Sequence, residues 1–144
     1  ISPSVEKCMS DEKSKGLNKV ETFINLDKKI QESRALLLKE LNQVKESGYE
    51  IVGYGATSKS TTILNYCDID SSLISYIADT TPIKQGKFSP GMHIPVKSFD
   101  EFHKDIPKYC LLFAWNHSKE IIEKEDVFKN QGGKWIYHSE FLGN

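Results

Sequence analysis

The sequence predicts an α/β fold: a doubly wound, mostly parallel sheet of five strands with a long helix in front of it. Two observations carry this. From Glu50 onward, short apolar runs alternate with amphipathic segments, the rhythm of strand–helix–strand units with parallel strands. The most apolar run, Tyr109 to Trp115, comes fourth in the series and is hydrophobic throughout, as a central strand covered on both faces is. With right-handed crossovers the first strand then lies beside the fourth.

Each element has its own signal. Ile1 to Leu17 mixes Ser, Lys, Glu and Gly without periodicity and reads as a linker or the end of a preceding domain. A chain starting at Ile1 rather than Met is expected to be a piece of something longer. Residues 18–144 are expected to form one domain, opened by a helix over about 18–47. Asn18 and Glu21 fit a capping box. Val20, Phe23, Ile24, Ile30, Leu37, Leu38, Leu41 and Val44 follow at helical spacing, and Gly48 supplies the stop. Such a helix is longer than a compact domain of this size needs, so part of it is expected either to pack on a missing neighbour or to kink within the core.

Ile51-Val52 is the first strand, Thr57 or Ser58 to Cys67 a helix with Ile63, Leu64 and Cys67 inward, and Ile74 to Ala78 the second strand. Thr80 to Gly91 is a loop punctuated by Pro82, Gly86, Pro90 and Gly91. Ile94-Pro95-Val96 can only be a short or edge strand, because proline donates nothing to a ladder. Ser98 and Glu101 open a short helix that Pro107 ends. Asn116-His117-Ser118 turns out of the fourth strand into a helix with Ile121, Ile122, Val127 and Phe128. Gly132-Gly133 breaks that helix before a last strand, Trp135-Ile136-Tyr137. Glu123-Lys124-Glu125-Asp126 reads as a solvated helix face.

Bulk properties exclude several classes of function. A net charge of −1 gives no electrostatic case for nucleic acid or an anionic membrane as partner. No apolar run approaches the roughly 18–20 residues that cross a bilayer. Cys8, Cys67 and Cys110 are too few and too scattered for a disulfide framework or a zinc site, so a reducing cytoplasm is the expected setting.

Chemistry points to one stretch, Gly53-Tyr54-Gly55-Ala56-Thr57-Ser58-Lys59-Ser60. Two glycines one residue apart permit a sharp turn. Amides at the start of the following helix lack partners and attract an anion, phosphate above all. Thr57, Ser58 and Ser60 add hydroxyls and Lys59 a full charge. As a dinucleotide fingerprint the loop has Ser58 where the third glycine belongs, with Asp79 near the distance of a ribose-binding acid. As a Walker A loop it keeps Lys59-Ser60 but lacks the second glycine. It also suits a pyrophosphate cradle for a nucleotide-linked substrate, or a tight turn with no ligand. Topology gathers Gly53 to Ser60, Asp79 with its loop, and Trp115-Asn116-His117 at the carboxyl edge of the sheet.

Gly53-Tyr54-Gly55-Ala56 followed by Lys59, then Asn65-Tyr66-Cys67, resembles the opening of the C-terminal domain of S-adenosylmethionine-dependent C-methyltransferases of nucleotide-linked deoxysugars. Asp79, Pro82, Lys84-Gln85-Gly86, Pro90-Gly91 and His93-Ile94-Pro95 are similar to that domain's second signature, and Ala114-Trp115-Asn116 to its third. The resemblance implies a Rossmann-like domain preceded in the full-length enzyme by a zinc-binding lobe and a central methyltransferase domain. It implies that the nucleotide-diphosphate sugar lies between the last two domains, with S-adenosylmethionine and the catalytic base outside this chain. In such an enzyme a base removes a proton beside a sugar ketone and the enolate attacks the methyl sulfonium. This chain alone is then expected to be inactive, with no cofactor of its own.

The substrate-binding residues implied are Gly53, Gly55, Ala56, Thr57, Ser58, Lys59, Ser60, Asp79, Lys84, Gln85 and Asn116. Trp115 is expected to pack rather than bind, and His93 to be structural. The chain departs from the family pattern at Thr57-Ser58 and Ser60-Thr61, where many members have Pro-Ala and Gly-Asn, and at Thr80, where many have Arg. The competing readings are an NAD(P)-binding oxidoreductase-type domain and an interaction domain with an empty sheet edge.

Overall fold

The computed structural model describes residues 1–137. The last seven residues of the expected domain, 138–144, lie outside the described residues. The elements are α1 (Pro3–Ser14), α2 (Val20–Glu46), β1 (Ile51–Tyr54), α3 (Ser58–Cys67), β2 (Ile77–Ala78), β3 (Val96–Lys97), α4 (Phe99–Lys104), β4 (Tyr109–Leu112), α5 (Ser118–Lys124), α6 (Asp126–Asn130) and β5 (Lys134–Tyr137). Short 3₁₀ turns occupy Pro82–Lys84 and Trp115–His117.

The five strands are all parallel, in the order β3-β2-β1-β4-β5. The first strand does lie beside the fourth, and the proline-bearing segment does form an edge. Alternation along each strand divides the core in two, because successive side chains point to opposite faces. Ile51, Ile77, Leu111 and Ile136 meet Leu37, Leu41 and Val44 of α2 and Ile63, Leu64 and Cys67 of α3. Val52, Tyr54, Ala78, Cys110 and Leu112 meet Phe102 of α4 and Phe128 of α6. Helices therefore cover both faces, the arrangement a parallel sheet requires.

Register sets up the functional edge. Cα pairing puts Lys97, Ala78, Tyr54, Leu112 and Tyr137 in one row across the sheet. The chain therefore leaves β1, β2 and β4 at one level, with Gly55, Asp79 and Phe113 as the next residues. Strand order reverses between β1 and β4, so the crevice above them is the switch point where ligands of such sheets lie.

Several expectations need correcting. Residues 3–14, within the stretch expected to be a linker or the end of a preceding domain and without helical periodicity, form a helix, α1, that buries no side chain. The Asn18–Glu21 capping box does not form: Lys19 is the N-cap without a side-chain bond, and the Thr22 hydroxyl instead donates to the Gly16 carbonyl at 2.7 Å. The helix after Ser118 is two helices broken at Glu125, and the break leaves Val127 55% exposed while Phe128 is fully buried. Regular pairing in β2 covers only Ile77–Ala78, although the Gly53 amide still donates to the Tyr76 carbonyl at 2.8 Å.

Gly53 also changes role. It sits inside β1 without a positive φ, and it is Gly55 that takes φ 90° and makes the turn. A Cβ on Gly53 would lie 2.7 Å from Phe113 Cε2 and 3.1 Å from Ile77 Cγ1. Gly53→Ala is expected to lower the unfolding free energy by about 1–3 kcal/mol through overpacking. Urea denaturation measures it, and an unchanged midpoint would show that the Phe113 ring yields freely.

Candidate functional site

The glycine loop, the Asp79 loop and the exit of β4 do meet at the carboxyl edge. Thr57 caps α3 by accepting the Ser60 amide on its hydroxyl at 3.2 Å. The Lys59 ammonium reaches across the crevice to the Asn116 side-chain oxygen and stands 4.9 Å from the centroid of the Trp115 ring. Lys59 thus spans the switch point, from the start of α3 to the turn after β4. Trp115 is half-buried and packs on the core, as expected, while serving as a platform for Lys59.

Asp79 holds the other side together. Its Oδ2 accepts the Ala56 amide at 2.7 Å and the Lys84 ammonium at 3.2 Å, and its Oδ1 accepts the Thr81 amide at 2.8 Å. Lys84 also donates to the Ala56 carbonyl at 2.8 Å, and the Gln85 side-chain amide donates to the Asp79 carbonyl at 3.0 Å. Burial acts to raise the Asp79 pKa, but the bonds from Thr81 and the ammonium of Lys84 outweigh it, and the carboxyl titrates below the usual carboxylate range.

These bonds decide which predicted residues remain available. Ala56 gives its amide to Asp79, and Thr57 gives its own to the Gly55 carbonyl at 3.0 Å, so the first two amides after Gly55 are taken. The Ser60 hydroxyl is buried and donates to the Thr57 carbonyl at 2.6 Å, so it points inward rather than toward a ligand. The amides of Ser58 and Lys59 have no acceptor among the described residues. The expected cradle narrows to those two amides, the exposed Ser58 hydroxyl and the Lys59 ammonium, with Asn116 opposite.

Two clefts flank this point. One, about 310 Å³, lies between the start of α3 and the 83–90 loop, with Phe88 and Ile83 at its mouth. The other, about 430 Å³, opens over the second face of the sheet, bounded by Gly55, Thr80, Phe99, His117 and Lys124. Thr57 and Lys84 line both, and the Asp79–Ala56 bond joins a lining residue of one to a lining residue of the other.

Two residues take roles that the sequence does not announce. Glu125, expected in a solvated face, is 2% exposed. It accepts the Tyr54 hydroxyl on Oε1 at 2.7 Å and bonds His103 Nε2 on Oε2 at 2.8 Å. Burial first, and the neighbouring carboxylate second, push the Tyr54 phenol far above its ordinary range. No local pattern announces this; the break between α5 and α6 accompanies the inward turn of one residue in a charged run. Asn65 is the second. Its amide donates to the carbonyls of Thr61 at 2.8 Å and Pro90 at 2.9 Å, fastening the 86–91 loop to α3. Gly91 adopts φ 81° against that amide, and a Cβ there would collide with the Asn65 side chain.

Fold and edge together define a Rossmann-like domain with two open amides and the Lys59 ammonium at its switch point. Residues 1–138 match the family described as C-methyltransferase C-terminal domain, and the chain belongs to that family. Over 136 residues it is 33% identical to the C-methyltransferase NovU of Streptomyces niveus, an alignment covering 94% of this chain and 32% of that protein. The chain therefore spans about a third of the length of this curated relative. No helix among the described residues is long and apolar enough to cross a membrane.

Proposed function

We infer that this chain holds the diphosphate of a nucleotide-linked keto-deoxysugar for a C-methyltransferase of which it is the C-terminal part. The observation that carries this reading is the open pair of amides at Ser58 and Lys59, which begin a ten-residue helix at the switch point beside the Lys59 ammonium. Partial positive charge from the helix start and a full charge from lysine suit a diphosphate. Asn116, across the crevice, can donate and accept toward the sugar or base.

S-adenosylmethionine, the methyl donor such an enzyme uses, does not fit this edge. An adenosine ribose is held in folds of this kind by a free carboxylate at the end of the second strand. Asp79 stands there with a side chain 6% exposed and both oxygens engaged, Oδ2 by Ala56 of the glycine loop and by Lys84, and Oδ1 by Thr81. The methyl donor and the base then belong to other parts of the full-length polypeptide, which agrees with a chain covering a third of its relative. The engaged carboxylate weighs equally against an NAD(P) domain.

Calorimetric titration tests the reading. A thymidine or uridine diphosphate sugar is expected to bind, and NAD and S-adenosylmethionine are not; tight NAD binding would overturn the assignment. Lys59→Ala should weaken the sugar nucleotide by about 1–3 kcal/mol, or roughly fivefold to 150-fold. Its unfolding free energy should change by less than about 1 kcal/mol, the scale of an exposed cation–aromatic contact. An unchanged affinity would remove Lys59 from the site.

A further inference from the structure

One apolar stripe runs the length of α2 through Phe23, Leu26, Ile30, Leu37, Leu41 and Val44, in steps consistent with one helix face. Its second half is sealed: Leu37 and Leu41 are fully buried against the sheet and Val44 is 6% exposed. Its first half is bare, with Phe23 54% and Leu26 51% exposed. Leu17, Val20 and Ile24 widen the bare surface, at 44%, 69% and 50% exposure. Beneath it a groove of about 460 Å³ continues from Leu26 and Ile30 onto Ile63, Tyr66 and Cys67 of α3. Arg34, ion-paired with Asp68 at 2.8 Å, stands at the rim.

Scattered exposed apolar side chains need no explanation, but a contiguous patch beside an apolar groove does. We propose that the first half of α2, with the groove against α3, is the seat of the portion of the same polypeptide that precedes this domain in the full-length enzyme. The inference rests on the reading that the chain is the C-terminal part of a longer methyltransferase. Its family is a C-terminal domain, and the relative it matches is about three times as long as the aligned segment. The bare half of α2 also lies at the end through which the chain enters the domain, so a preceding body is tethered beside it. Tethering gives an effective concentration up to the millimolar range, and modest apolar complementarity then suffices for docking. A second copy of this chain at micromolar concentration has no such advantage.

Hydrogen exchange read by mass spectrometry tests this with no nucleotide in any sample. The backbone of residues 20–30 should exchange about tenfold or more slowly in the full-length polypeptide than in the 144-residue chain. Equal exchange in both would overturn the proposal. So would a 144-residue chain that is dimeric in solution with the same residues protected. A Phe23→Lys, Leu26→Lys double variant should leave the thermal midpoint of the 144-residue chain within experimental error, because both side chains already face water. In the full-length polypeptide it should restore fast exchange over 20–30; protection that survives the two charges would also overturn the proposal. Because no arm contains a sugar nucleotide, failure here is separable from failure of the diphosphate reading.

Discussion

Asp79→Ala is expected to lower the unfolding free energy by about 2–4 kcal/mol and to abolish binding of a sugar nucleotide in the same variant. The change strips the acceptor from the Ala56 amide, the Thr81 amide and the Lys84 ammonium, and Asp79 itself is only 5% exposed. Lys84 keeps its bond to the Ala56 carbonyl, but the Ala56 and Thr81 amides lose their acceptor in a part-buried loop, which costs more than the bonds contributed. Binding should fall because that carboxylate holds Ala56, and the Ser58 and Lys59 amides follow directly in the same loop. The contrast with Lys59→Ala is the diagnostic: one variant loses fold and affinity together, the other affinity alone.

A pH series sharpens the test. The Asp79 carboxyl titrates below its ordinary value in the folded chain, so its contribution is fully present above the unfolded pKa of about 3.9. It is lost as pH falls through the depressed folded value. Asp79→Asn should therefore flatten this part of the acid limb of stability while leaving its shape near neutrality unchanged. If the variant keeps the wild-type acid limb, or if Asp79→Ala keeps the wild-type midpoint, the carboxylate does not hold the loop.

Glu125→Ala should cost about 2–4 kcal/mol, with a fall in thermal midpoint of roughly 5–15 °C. Its carboxylate is buried, and its two partners come from β1 and α4. Truncation leaves the Tyr54 hydroxyl without an acceptor in an aromatic cluster where Phe99, Phe102 and Trp135 rings stand 4.6 to 5.7 Å from its own. Replacing both ends, as in Tyr54→Phe with Glu125→Leu, should recover much of the loss, since two matched apolar groups need no bond. A double variant as unstable as Glu125→Ala would show that packing, rather than the unpaired hydroxyl, sets the cost. Thermal and urea denaturation of the three proteins give the answer.

The sheet was legible because its signals are local. Tyr109 to Leu112 is apolar on both faces because both faces are covered, and Pro95 restricts its segment to an edge. Ser98 caps α4 with its side chain and Gly48 ends α2 with a positive φ, both within a turn of their target. Parts of the site were less so, since their roles depend on residues far away in sequence. Gly53 was read as a turn residue because its conflict is with Phe113, sixty positions on. Ser60 and Asp79 have the donor and acceptor types a ligand needs, yet both satisfy the loop itself. Glu125 sits among charges that do face water, and only the break between α5 and α6 turns it inward. Lys59 and Asn116 were placed together correctly because topology alone brings the ends of β1 and β4 to one edge.

The unequal lengths of the strands leave the crevice with one stiff jaw and one compliant one. β1 and β4 share four paired positions, whereas β2 and β3 are two residues each and are supplemented by side-chain tethers from Asp79, Lys84, Gln85 and Asn65. Adjusting the compliant jaw changes a few polar contacts without disturbing the central ladder. Substitutions that accommodate a bulkier or smaller guest should therefore accumulate between residues 80 and 91, while the jaw carrying Lys59 and Asn116 keeps its shape.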